Sequence, residues 1–205
     1  MKKILIYNIP MQVKQRCVYD NGVRNVELSS EAFYFPINAY LAKNLTAEDD
    51  LKVILLVKRD GLEREIAAEE LCKQELNQIN ETIGAHLEYK TISTKFEQTK
   101  KVYDQLFSAL VDEIEDESTI LWDITFGPKD EPLVVFSALN FAEKFLDCEI
   151  EHIFYAQAIF DENNKIINTK LVTMDSLFKL QSLVNEVKSN DPQKARHLLK
   201  LLVSL

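Results

Sequence analysis

Residues 119–132, Thr-Ile-Leu-Trp-Asp-Ile-Thr-Phe-Gly-Pro-Lys-Asp-Glu-Pro, show most clearly which class of fold this chain adopts. Residues 119–124 form an apolar run typical of a strand buried on both faces. An amphipathic helix follows, beginning at Lys129 or Glu131 and ending at Leu146. A buried strand that turns directly into a helix is a unit of an α/β sheet, and it predicts that fold class for the chain.

The turn between this strand and this helix has the composition of an anion site. Thr125 offers a hydroxyl, Gly127 allows a ligand to approach the backbone, and Lys129 adds a positive charge near the unpaired N–H groups of the helix. Phe126 is a candidate to stack on a base, although core packing is the alternative. Asp123 is expected to cap the loop by accepting backbone N–H groups, and Thr125 either caps the helix, binds ligand, or does both.

Strands and helices alternate along the rest of the chain. Two further buried strands are predicted at residues 3–8 and 51–58, and a strand in which apolar and polar residues alternate is predicted at residues 85–93. Helices are predicted between them at residues 29–43, 62–83 and 94–115, with Pro36 marking either a kink or a later start of the first helix. Such alternation predicts a mostly parallel Rossmann-like sheet with helices on both faces.

Two β-hairpin excursions and two C-terminal helices complete the predicted architecture. Asn21-Gly22 is a strong hairpin signal between the first strand and the first helix. Residues 149–160 and 165–173 are predicted to pair around residues 161–164. Helices at 174–188 and 192–203 follow, so we expect a ligand-binding domain over 1–175 and a helical extension over 176–205. That extension is interpreted as a dimerisation arm or as a linker to an effector domain.

Charge and composition limit the partners. The 205 residues carry 24 Lys and Arg against 33 Asp and Glu, a net charge of −9, which argues against binding to long DNA or RNA. A small anionic ligand remains compatible, because a local cluster of cations can make one pocket positive on an acidic protein. No apolar run reaches the length of a membrane span. The three cysteines form no metal-type pair, and reduced thiols in a cytoplasmic protein are expected, with no metal and no cofactor.

The predicted site lies where the order of a doubly wound sheet reverses, between the first and fourth strands. The first-strand loop contributes Asn8, Ile9, Pro10, Met11 and Gln12, and the fourth-strand loop contributes Thr125, Phe126, Gly127 and Lys129. Neither a Gly-x-Gly-x-x-Gly turn nor a Walker lysine motif is present, which argues against an ordinary dinucleotide or P-loop site. The three histidines are predicted to lie outside this crevice, and no catalytic residues are assigned.

The pattern Asp123-x-Thr125-x-x-x-Lys129 resembles the signature after the fourth strand of CARF domains, the CRISPR-associated Rossmann folds. The following helix, Pro132-Leu-Val-Val-Phe-Ser-Ala-Leu-Asn-Phe-Ala, is also similar to that family, in particular to a subgroup with Asp-x-Thr-x-Gly in this loop. Members of that subgroup usually have His and then Gly-Phe-Arg after the threonine, whereas this chain has Phe126, Gly127, Pro128 and Lys129. The first-strand loop lacks the Gly/Ser-rich turn of many members.

This resemblance implies a homodimer whose two crevices form one groove for a cyclic oligoadenylate. The first hypothesis is a sensor for cyclic tetra- or hexa-adenylate that regulates a fused or associated effector in type III CRISPR antiviral defence. The second is a metal-independent ring nuclease that cleaves the same messenger, with Lys129 stabilising charge. A third, unrelated interpretation is a regulatory α/β protein that binds a mononucleotide.

Overall fold

The computed structural model describes residues 1–13, 15–59, 63–163 and 166–203, with the backbone alone at 63–65. These residues form two compact units, Met1–Thr173 and Met174–Leu205. The strands of the first unit are β1 Lys2–Asn8, β2 Asp20–Asn21, β3 Asp50–Arg59, β4 His86–Lys95, β5 Thr119–Asp123, β6 Glu149–Phe160 and β7 Ile166–Thr173. Its helices are α1 Ile37–Asn44, α2 Glu63–Ile83, α3 Lys100–Glu113 and α4 Glu131–Phe145.

All seven strands belong to one sheet with the order β2-β7-β6-β5-β1-β3-β4. Five strands, in the order β4, β3, β1, β5 and β6, run parallel to one another. β7 pairs with the outer side of β6 and runs antiparallel to it. The chain is therefore an α/β protein with a Rossmann-like, mostly parallel sheet, which confirms the predicted fold class. β1 and β5 are adjacent at the centre, so the order reverses where the sequence pattern placed it.

Alternate residues of the central strands face the two helical layers. Leu5 and Tyr7 of β1 pack in the same cluster as residues of α1 and α2, together with Val53 and Leu55 of β3. Neighbouring residues such as Ile4 and Ile6 are equally buried on the other face. Burial on both faces explains why these strands read as continuous apolar runs.

Two predicted helix starts need correction. α1 begins at Ile37 with Pro36 as its N-cap residue, because a proline is compatible with a helix start but not with its interior. Of the two alternatives that Pro36 indicated, a kink or a later helix start, the later start is confirmed. α3 begins at Lys100 rather than at residue 94, because β4 continues to Lys95 and Thr99 caps the helix by accepting the Val102 N–H. Residue 62, the predicted start of the second helix, lies outside the described residues.

The predicted hairpin at Asn21-Gly22 is wrong in its pairing. The two flanks of this dipeptide do not pair with each other; instead β2 pairs in parallel with β7, and Gly22 N–H donates to Leu171 O at 2.8 Å. The Asn21 side chain accepts the Val23 N–H at 2.8 Å, which forms the local turn without a hairpin. The second predicted hairpin is confirmed by the antiparallel β6–β7 pair, although residues 164 and 165 of its turn lie outside the described residues.

The second unit contains α5 Asp175–Glu186 and α6 Pro192–Val203. α6 carries Lys194, Arg196 and Lys200 without an acidic residue, and its large side chains Leu201 and Val203 are exposed. Among the described helices of the chain, none combines the length and the apolarity that a bilayer crossing requires.

Candidate functional site

The carboxyl ends of β1 and β5 lie side by side at the centre of the sheet, with Tyr7 paired to Asp123. Because side chains alternate along a strand, the last residues of each strand face opposite helical layers. Tyr7 and Asp123 face α1, where the Tyr7 hydroxyl donates to Asn38. Asn8 and Trp122 face α4 and bond to each other, the indole N–H donating to Asn8 Oδ1 at 2.6 Å. Two different polar arrangements therefore meet at this edge of the sheet.

On the α1 side, Asp123 supplies an internal anion for the start of the helix. Its carboxylate accepts the Ile37 N–H at 3.2 Å and the Thr125 N–H at 2.9 Å, so the loop-capping interpretation of Asp123 agrees with the structure. Burial raises the pKa of the Asp123 carboxyl, and the hydrogen bonds from Thr125 and from the Ile37 N–H act in the opposite direction. The carboxylate thus fixes both α1 and the loop after β5.

The Thr125 hydroxyl is used within the protein. It accepts the Ala156 N–H of β6 at 2.9 Å and also hydrogen-bonds to Asp123. It does not cap α4, whose N-cap residue Asp130 makes no side-chain capping bond either. Thr125 therefore connects β5 to β6 and shapes the loop, and a ligand would contact its methyl group or its backbone.

On the α4 side, Glu131 places a carboxylate at the first residue of the helix, where the helix dipole favours negative charge. This side chain is only 2% exposed and accepts a hydrogen bond from Asn8 Nδ2 at 2.5 Å. Lys58 Nζ, itself buried, lies 3.8 Å from the second carboxylate oxygen. Burial raises the pKa of the Glu131 carboxyl, while Lys58 and Asn8 partly offset that rise.

Gly127 closes the loop over this internal carboxylate. Its φ of +91° lies in the left-handed region that side-chain-bearing residues rarely adopt. A Cβ placed on Gly127 would lie 2.8 Å from Glu131 Oε2 and 3.0 Å from Asn8 Nδ2. The glycine is therefore needed for the close approach of Glu131 and Asn8, in addition to any contact with a ligand.

A cavity of about 330 Å³ lies beside this centre, at the carboxyl ends of β5 and β6. The loop after β5 forms one wall, and the segment between β1 and α1 forms the opposite wall. The cavity is lined by Gln12, Val13, Gln15, Cys17, Tyr19, Tyr34, Pro36, Thr125, Phe126, Ala156, Ala158, Ile166 and Thr169. Its size is in the range of small-molecule sites, and its described lining combines aromatic rings with amides and hydroxyls but includes neither lysine nor arginine.

The structure brings together some of the predicted ligand-binding residues. Gln12, Thr125 and Phe126 line the cavity. Lys129 is exposed and Met11 is half-buried, neither of them in the lining. Asn8, Ile9 and Pro10 are buried, and Ile9 N–H extends the β1–β3 pairing by donating to Leu56 O. Gly127 is exposed on the loop.

The sequence pattern did not identify the aromatic and thiol groups that the β1–α1 segment contributes. Thr169 of β7 donates to Val18 O at 2.6 Å and holds this segment across the strand ends, which places Tyr19 and Cys17 in the cavity wall. The Arg16 guanidinium lies 5.0 Å from the centre of the Tyr34 ring, so it contacts the outside of this wall. Two tyrosines within a polar loop were the available signal, because large aromatics in a loop need a surface to pack on.

The acid–base groups near the cavity are few. Among the described lining residues, the titratable ones are Cys17, Tyr19 and Tyr34. Burial raises the pKa of the Tyr19 phenol, which keeps its proton at neutral pH. His152 packs against Tyr40 and Phe154, and none of the three histidines is among the described lining residues. The described residues also contain no group of three or more His, Cys, Asp and Glu that is arranged to hold a metal ion.

A scan of the sequence against models of protein families finds no match, and a search of curated proteins finds no significant relative.

We predict that Gly127→Ala lowers the free energy of unfolding more than Gly84→Ala does. Both glycines have positive φ, at +91° and +82°, but a Cβ at Gly84 meets nothing within 4 Å. The left-handed conformation should cost about 1–2 kcal/mol at each position, and only Gly127→Ala should add the cost of displacing Glu131 and Asn8. Urea unfolding followed by circular dichroism measures both changes. Equal losses would show that the Glu131 contact does not constrain the loop.

Proposed function

We propose that this chain is a sensor domain that binds a cyclic oligoadenylate and passes the signal to an associated effector. The observation that supports this proposal best is the cavity itself. It lies beside the reversal point of a Rossmann-like sheet, where the CARF resemblance of the Asp123-x-Thr125-x-x-x-Lys129 motif implies a ligand, and Gln12, Thr125 and Phe126 from both predicted loops line it.

The lining suits an adenine base better than it suits a phosphate. Phe126 and Tyr34 offer aromatic faces, and base–aromatic stacking is worth about 1–3 kcal/mol per base. Gln12 and Gln15 each offer an amide donor and an acceptor, which is the pair of functions that the edge of adenine requires. The described lining residues include no cation that would attract a free phosphate, so we assign the cavity to the base.

The phosphates are assigned to the cations outside the cavity. Lys129 is exposed on the loop that carries Phe126, and the Arg16 side chain is 49% exposed beside Tyr34. Glu75 lies 3.7 Å from Arg16 Nε, and we assign an anionic group of the ligand to the exposed part of this side chain. A ligand whose bases enter the cavity and whose phosphates remain at its rim would use both kinds of group.

The proposal includes a homodimer, because a ring of identical nucleotides is matched best by two copies of one site around a two-fold axis. Long nucleic acid is not proposed as a partner, since the net charge of −9 leaves little counterion release to drive binding. The ring-nuclease alternative differs only in its outcome, which is the appearance of linear oligoadenylate.

We predict saturable binding of cyclic tetra- or hexa-adenylate with one ring per two chains, measured by isothermal titration calorimetry. Phe126→Leu should weaken this binding about tenfold, because it removes an aromatic face while keeping apolar volume. Phe145→Leu is the matched control, since Phe145 is a 65% exposed aromatic on the far end of α4. Binding that is absent for every ring size, or equal losses in the two variants, would contradict the proposal. Chromatography of the same mixtures shows whether linear products form.

A second prediction concerns the cations at the rim. Lys129→Ala should weaken binding of the ring about tenfold, the value for a charge-assisted hydrogen bond to phosphate, and should leave the thermal unfolding midpoint nearly unchanged. Lys144→Ala removes an equal charge from the exposed far end of α4, the helix that follows this loop, and should have little effect on affinity. Unchanged affinity in Lys129→Ala would place the phosphates elsewhere.

The position of the ligand can be tested with a cysteine that the cavity already contains. Cys17 is half-buried and lines the cavity, whereas Cys72 and Cys148 are buried elsewhere. Iodoacetamide should therefore modify Cys17 first in the native protein, and a bound cyclic oligoadenylate should slow this modification. Mass spectrometry of peptides measures the rate at each thiol. Protection that fails to appear at ligand saturation would move the site away from this cavity.

A further inference from the structure

A second cleft opens at the same edge of the sheet, beyond the carboxyl ends of β3 and β4. Its volume is about 350 Å³, and its walls come from Arg59 at the end of β3, Ser93 and Thr94 near the end of β4, and the first turns of α3. It shares no lining residue with the cavity beside β5 and β6. Carboxyl ends of parallel strands are where α/β proteins bind ligands.

The charge of this cleft is opposite to that of the protein. Among the described lining residues, Arg59, Lys95 and Lys101 stand against one carboxylate, Glu97, in a chain whose net charge is −9. Glu97 lies 3.8 Å from Lys95 Nζ. Arg59 also pairs through Nη2 with the buried Glu69, which Lys73 neutralises in turn at 3.0 Å. Even with Arg59 paired to Glu69 and Lys95 paired to Glu97, Lys101 leaves the described lining with an excess of positive charge.

Two buried polar atoms of the lining residues have no hydrogen-bond partner. They are Arg59 Nη1, a donor, and the Thr94 hydroxyl oxygen. A buried polar group without a partner costs about 1–3 kcal/mol, so the protein retains two such groups where an acceptor-rich ligand would satisfy both. An arginine fork and a hydroxyl are groups that proteins use to hold phosphate oxygens.

The start of α3 adds to this arrangement. Thr99 caps the helix, and the first turn carries Lys100 and Lys101 without an acidic residue. Lysines in a first turn oppose the helix dipole unless an anion lies close by. Lys100 pairs with Asp104 on its own helix, while Lys101 lines the cleft.

We propose that this cleft is a phosphate-binding site, in which Arg59, Lys95 and Lys101 supply charge and Thr94 supplies its hydroxyl to a phosphoryl group. The ligand is free phosphate or the phosphoryl group of a nucleotide, since both present the same oxygens. This site is independent of the cyclic oligoadenylate proposal, because neither its residues nor its ligand chemistry depend on the cavity beside β5.

The test measures binding of inorganic phosphate and, separately, of adenosine monophosphate to the full 205-residue chain by calorimetry, at constant ionic strength. Lys101→Ala should weaken phosphate binding about tenfold or more, whereas Lys100→Ala, one residue away and outside the lining, should change it less than about twofold. If adenosine monophosphate binds more tightly than phosphate and suffers the same loss in Lys101→Ala, the ligand is a nucleotide. Equal affinity for inorganic phosphate and for adenosine monophosphate would show that the phosphoryl group alone accounts for binding.

Thr94→Val separates ligand binding from a structural role. The substitution removes a buried hydroxyl that has no partner, so the unfolding midpoint without phosphate should stay the same or rise. Phosphate affinity should fall at the same time. A lower midpoint with unchanged affinity would overturn the role of Thr94. The proposed site would be overturned if neither phosphate nor adenosine monophosphate showed saturable binding, or if Lys100→Ala and Lys101→Ala lowered the affinity equally.

Discussion

Two buried carboxylates at the centre of the sheet are the interactions on which the rest of the structure depends. Asp123 accepts the N–H of Ile37 at the start of α1, and Glu131 lies in the first turn of α4 against Asn8 and Lys58. Each places negative charge where a helix dipole is positive, which offsets part of the cost of burying an ion. Together they fix both helices, and the loop between β5 and α4, relative to β1.

These two buried carboxylates determine which groups at the carboxyl ends of the strands remain accessible to a ligand. The start of α4, which would otherwise attract a ligand phosphate, already holds the Glu131 carboxylate. The described lining of the adjoining cavity is partly aromatic and includes neither lysine nor arginine, whereas three cations line the separate cleft beyond β3 and β4. Along one edge, the sheet thus carries an aromatic cavity and, apart from it, a cleft lined by cations.

Local sequence patterns correctly predicted the strands whose side chains are buried on both faces of the sheet. The central strands are buried on both faces, so their apolar runs are visible without knowledge of their partners. Asn21-Gly22 failed as a hairpin signal because the chain at this point is held by a distant strand, with Gly22 N–H bonded to Leu171 O. Turn preferences of this kind are weaker than several long-range backbone hydrogen bonds acting together.

Residue patterns along the chain were enough to predict the Rossmann-like class, the reversal point between β1 and β5, and three lining residues of the cavity. The hydrogen bond from Asn8 to Glu131, 123 positions away, and the meeting of Tyr19 and Tyr34 with Phe126 around one cavity became visible only in the folded chain. The difference lies in the sequence separation of the residues involved. The periodicity of apolar residues shows which faces of one strand or helix are buried. A pocket or a buried ion pair depends on which distant segments come into contact, and only the packing of the sheet and its helices specifies those contacts.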